Sequence, residues 1–112
     1  MSTAAEQALR TADSQARVLA MIRSLMERHA HMLRGYRVLL FGSRARGDAR
    51  ERSDFDIGVI GDHPMSPDAY DCIESELEAL PTLYRIDWVD LARVADAFRE
   101  RALREGVTIH ES

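Results

Sequence analysis

Apolar residues recur at helical spacing in three stretches of the chain and in short runs between them, and this switching of period predicts the elements in order. Val18, Ile22, Leu25, Met26, His29, Met32 and Leu33 share one face of a helix running from about Asp13 and ended by Gly35. Ahead of it, residues 2–12 are rich in Ala, Thr, Glu and Gln and read as either a lead-in or an early helical turn. His29 is expected at the core edge, packed and hydrogen-bonded, whereas His31 lies off the stripe in solvent. Tyr36 to Phe41 is a short apolar run between glycines, the pattern of a strand covered on both faces. Gly42 stops it, Ser43 is placed to cap a short helical segment to about Arg46, and Gly47-Asp48 opens a loop carrying Arg50, Glu51 and Arg52.

The second strand, Phe55 to Ile60, alternates: Phe55, Ile57 and Val59 face one way, and Asp54, Asp56, Gly58 and Ile60 the other. Ser66-Pro67-Asp68 combines a cap, a pre-set first position and an early acid, so a helix starts there, buries Tyr70, Ile73, Leu77 and Leu80, and stops at Pro81. Tyr84 to Leu91 reads as a third strand, with Asp87 and Val89 opposite Ile86 and Trp88, which makes Trp88 a core residue. A last helix from about Val94 to Arg104 is closed by Gly106, and residues 107–110 suit a short edge strand. The sum predicts an α/β (α+β) fold, a small mixed β-sheet flanked by helices, as one domain over residues 1–112 without repeats or linkers.

Composition narrows the classes of function. With 46% hydrophobic and 30% charged residues the chain can bury a core, and a net charge of -4 argues against a broad basic surface, so direct nucleic-acid binding is not expected. No apolar run approaches the ~18–20 residues of a membrane span, and the N-terminus lacks a basic region followed by an apolar core. A cytoplasmic location is expected. The single cysteine, Cys72, excludes an intrachain disulfide, provides no metal-ligand pair and reads as a small buried hydrophobe.

The candidate chemistry centres on carboxylates. Asp54 and Asp56 project from one face of a strand about 6–7 Å apart, where two like charges repel unless a cation lies between them. All-oxygen ligation suits Mg²⁺, which shares its shell with water and substrate phosphates. Asp87, in an otherwise apolar strand, is a third carboxylate if that strand lies beside the second; Asp90 reads as a strand-end or turn residue. The Gly42-Ser43 turn at the end of a buried strand lets a phosphate approach the backbone, although alone it is a capped turn and lacks the Gly-Lys-Ser/Thr ending of a Walker loop.

Gly42-Ser43, ten residues, then Asp54-Phe55-Asp56 forms a Gly-Ser-x10-Asp-x-Asp signature. In this the sequence resembles the DNA polymerase beta nucleotidyltransferase superfamily, and its short length and Gly-Ser-Arg-Ala-Arg-Gly wording resemble the minimal nucleotidyltransferase antitoxins paired with HEPN toxins. The resemblance covers roughly residues 20–110. It implies that Gly42 and Ser43 hold a nucleoside triphosphate, that Asp54 and Asp56 ligate two Mg²⁺ ions, and that Asp87 completes one metal site and assists the acceptor hydroxyl. Arg46, in the Ala-Arg-Gly wording, would steady phosphates or loop; Arg44 would be only a solvated charge. Phe55 stands where the family often has a small aliphatic residue and should matter for packing alone. The implied activity is Mg²⁺-dependent transfer of AMP from ATP to a tyrosine hydroxyl of a HEPN toxin. The alternatives are an antitoxin that neutralises by binding only, or one subunit of an enzyme that modifies a small molecule.

Overall fold

A computed structural model describes residues 3–112. Helix α1 (Ala4–Arg28) is capped by the Thr3 hydroxyl, which accepts from the Glu6 amide, so the stretch read as a lead-in or early turn is helical from Ala4. Val18, Ile22, Leu25 and Met26 are buried along it, as their spacing predicts. The helix does not continue to Leu33. Its last residue is Arg28; His29 then leaves helical geometry at φ -111°, and a single 3-10 turn, Ala30–Met32, carries Leu33 into the core. Gly35, at φ +86°, reverses the chain into β1 (Arg37–Phe41).

The remaining elements are α2 (Ser43–Arg46), β2 (Phe55–Ile60), α3 (Pro67–Glu78), β3 (Ile86–Asp90), α4 (Asp96–Glu105) and β4 (Val107–Glu111). Ser66 caps α3 by accepting from the Ala69 amide, and the residues at 107–111 form the expected edge strand. The strand order is β3-β2-β1-β4, with β2 parallel to β3 and β1 antiparallel to both β2 and β4, which makes the sheet mixed.

Alternation along the strands feeds two cores. Val38, Leu40, Phe55, Ile57, Val59, Trp88 and Ile109 meet α1 and α3 on one face through Ile22, Leu25, Ile73 and Leu77. Leu39, Phe41 and Leu91 meet Ala102 of α4 on the other, with Val89 at their side. Covering both faces explains why β1 reads as a continuous apolar run. Trp88 is buried and stacks on Tyr70, whose hydroxyl donates to the Trp88 carbonyl at 2.6 Å. His29 departs from expectation: it is packed, but its Nδ1 is buried without a partner, and its Nε2 lies 4.0 Å from Glu76. Cys72 is half-buried rather than fully enclosed.

Candidate nucleotide-transfer site

Register brings the candidate residues to one end of the sheet. Because β1 and β2 are antiparallel with Phe41 opposite Asp56, Gly42 follows directly beside Asp56. Because β2 and β3 are parallel with Asp56 opposite Asp87, those two carboxylates stand on neighbouring strands about 4.8 Å apart at the backbone. Both project to the α4 side, away from Phe55 in the opposite core. Asp54 sits just ahead of β2 and is exposed, and its charge is still felt at Asp56.

Electrostatics marks Asp56 as the strained member. Burial first, then repulsion from Asp87 and Asp54, pushes its carboxyl above the usual range, while the Arg46 guanidinium pulls it back. Gly42 approaches it from the other side. At φ +72° and ψ -156° this residue occupies backbone space that is essentially glycine's alone, and a Cβ there would collide with Asp56 Oδ2. Gly42 is also the residue that caps α2. Ser43 is the first helical residue rather than the cap, and its side chain makes no capping bond; the Gly42 carbonyl accepts from the Ala45 and Arg46 amides instead.

A cleft of about 980 Å³ opens over this end, and Gly42, Ser43, Arg46, Asp56 and Asp87 line it. Its walls are α4, through Phe98, Arg101 and Glu105, and the 82–86 segment, with Tyr84 and Arg85. Arg85 Nε donates to Asp87 Oδ1 at 2.9 Å, a contact that the sequence did not suggest. Among the described residues no group of three His, Cys, Asp or Glu side chains can hold an ion unaided. The donor chemistry nonetheless suits Mg²⁺, which binds through one or two carboxylates and takes the rest of its shell from water and phosphate. A crowded carboxylate such as Asp56 is where a cation relieves most repulsion.

Arg44 is a correction. The sequence suggested a solvated charge, but it is 3% exposed. Its guanidinium donates to the carbonyls of Arg50, Glu51 and Ser53 and to Gln15 Oε1, and lies 4.1 Å above the Phe55 ring. It therefore ties the 50–53 loop and α1 to the start of β2. No spacing rule could expose this, because the partners are mostly backbone carbonyls. Arg44→Ala should cost about 2–4 kcal/mol by orphaning those carbonyls and uncovering Phe55, seen as a fall in Tm of roughly 10 °C or more. Arg44→Lys, without the planar fork, should recover only part of it.

Asp90, expected at a strand end, is the last residue of β3; buried, it accepts from the Met65 and Ala92 amides. Asp90 is thus structural and stands apart from the cleft.

A family model described as "Polymerase beta, Nucleotidyltransferase" matches residues 27–112. The chain belongs to this nucleotidyltransferase family. The Haemophilus influenzae protein named "Probable protein adenylyltransferase MntA" is 28% identical over 99 residues, which are 88% of this chain and 84% of that protein. A solved structure described as a minimal nucleotidyltransferase is 34% identical, covers 87% of this chain and 93% of its own, and superposes with a TM-score of 0.61. A chain of the complex between a tri-AMPylated Shewanella oneidensis HEPN toxin and an MNT antitoxin shares the fold at 20% identity and a TM-score of 0.52, over 81% of this chain and 73% of that one. The minimal nucleotidyltransferase fold expected from the sequence is therefore the observed one.

Proposed function

We propose that this nucleotidyltransferase is an antitoxin that transfers AMP from ATP to a tyrosine hydroxyl of a HEPN toxin, with Mg²⁺ as cofactor. The observation that carries the reading is the contact of the Gly42 turn with Asp56 next to Asp87, in a cleft that Arg46, Arg85 and Arg101 line together with Glu74, Glu78 and Glu105. The names of the Haemophilus and Shewanella relatives support the adenylyl group and the protein acceptor.

In this reading Gly42 and Ser43 hold the triphosphate, Arg46 steadies it, and Asp54, Asp56 and Asp87 would hold the metal. Mg²⁺, when bound, supplies Lewis-acid neutralisation of the phosphates and a lower pKa for the acceptor hydroxyl. The acceptor oxygen forms a bond to the α-phosphorus, the bond from that phosphorus to the bridging oxygen breaks, and pyrophosphate leaves with the electron pair. Asp87, which lines the cleft from the edge strand, would take the hydroxyl proton. Arg85 would leave Asp87 as the cation arrives, a small movement for a side chain 74% exposed.

The test combines the chain with a HEPN protein encoded beside its gene, Mg²⁺ and α-labelled ATP. Label on a partner tyrosine, abolished by chelation of the metal, is the expected result. An unlabelled partner that is still neutralised would mean inhibition by binding alone, and label on a small molecule would mean a different acceptor class.

A further inference from the structure

Glu105 is the last residue of α4, where an acid opposes the helix dipole and gains nothing from it. Its position is nevertheless fixed closely. The next residue, Gly106, lies so tightly against Leu39 and the Ala102 carbonyl that a Cβ would collide with both, which sets the end of α4 on β1. From there Glu105 reaches two arginines, one with each oxygen: Oε1 accepts from Arg101 Nε at 3.2 Å, and Oε2 from Arg46 Nη1 at 3.2 Å. Burial, the largest single influence on its carboxyl, would raise it, but the hydrogen bonds and charges of Arg101 and Arg46 together outweigh burial and hold it below the usual range. Arg46 is held a second time, by Asp48 Oδ2 against its Nε at 3.3 Å.

A guanidinium has five donors in a rigid plane, so two fixed acceptors define the whole fork. With Nε and one Nη1 hydrogen taken, both Nη2 hydrogens remain for a ligand. Arg46, Arg101 and Glu105 all line the cleft that contains Gly42, Ser43 and Asp56.

We infer that Glu105 is a positioning residue, which orients Arg46 so that its free Nη2 edge meets the phosphates of the bound nucleotide. This rests on the reading of Arg46 as a triphosphate contact. Glu105 itself touches no substrate; it acts through Arg46, and Arg101 balances its charge.

The experiment measures the Kd of a non-hydrolysable ATP analogue with Mg²⁺ by calorimetry, alongside kcat and KM for ATP where an acceptor is supplied. Glu105→Ala should weaken analogue binding about three- to tenfold, the range of a charged hydrogen bond at a part-exposed site, and raise KM with kcat within about twofold. Glu105→Gln, which still accepts a hydrogen bond, should recover part of the loss, and thermal melting should show all variants folded at the assay temperature. In an Arg46→Ala background, Glu105→Ala should add nothing further. If Arg46→Ala leaves analogue binding unchanged, the reading of Arg46 itself fails. If Arg46→Ala weakens binding but Glu105→Ala does not, tightens it, or weakens it equally without Arg46, then Glu105 does not position Arg46.

Discussion

Asp56→Asn should lower nucleotidyl transfer by roughly a thousandfold or more, and should at the same time make the metal-free protein more stable. The activity loss follows from removing the charge that Gly42, Asp54 and Asp87 surround. The stability gain follows from linkage. Burial and two neighbouring carboxylates raise the Asp56 pKa in the folded protein, so the folded state holds this proton more tightly than the unfolded chain does. Wild type therefore loses stability as pH rises from about 4 through that raised value, and the deficit persists above it. Asparagine carries no such penalty. The two proteins should melt alike near pH 3, and the variant should melt higher at pH 7. Adding Mg²⁺ at pH 7 should raise the wild-type Tm and narrow the gap, with little effect on Asp56→Asn. Equal melting at both pH values would remove the electrostatic account of Asp56, and unchanged transfer would remove its catalytic role.

Gly42→Ala should also damage transfer severely, though less than Asp56→Asn. Only a methyl group is added, yet it arrives at φ +72°, where an L-residue is strained, and on the carboxylate oxygen of Asp56. Either the turn retreats from the cleft or Asp56 rotates away from Asp87. Displacements of about 1 Å at a reacting centre cost on the order of a hundredfold in rate, and the strain adds about 1–3 kcal/mol of destabilisation. Gly47→Ala is the control, since Gly47 shares the positive φ of +86° but a Cβ there meets nothing. It should lose stability from backbone strain while retaining transfer.

The fold was largely legible because its signals are local. The alternation in β2 and β3 and the Ser66-Pro67-Asp68 start each act within a few residues. The end of α1 was not legible, since the apolar stripe continues through the 3-10 turn and hides the break at His29. At the site, the aspartates were readable from their places in or beside apolar strands. Arg44 and Glu105 were not: Arg44 bonds backbone carbonyls of the 50–53 loop, which carry no side-chain signature, and Gln15 on α1, and Glu105 reaches Arg46 across 59 residues, which only folding brings near. The traces of Glu105 in the sequence are an acid at the end of a helix that its dipole disfavours and an i,i+4 pairing with Arg101.

The parallel ladder between β2 and β3 bears on how this scaffold can be altered. Asp56 and Asp87 are aligned by strand pairing, and the connection between the strands takes no part in spacing them. Residues 61–85 could thus be replaced by a segment of different length that still presents an Ile73- and Leu77-like stripe to the sheet. Such a graft would keep the carboxylate pair in register while exchanging α3 and the Tyr84–Arg85 wall of the cleft. The carboxylate pair and that wall of the cleft would then be separable parts, open to recombination one without the other.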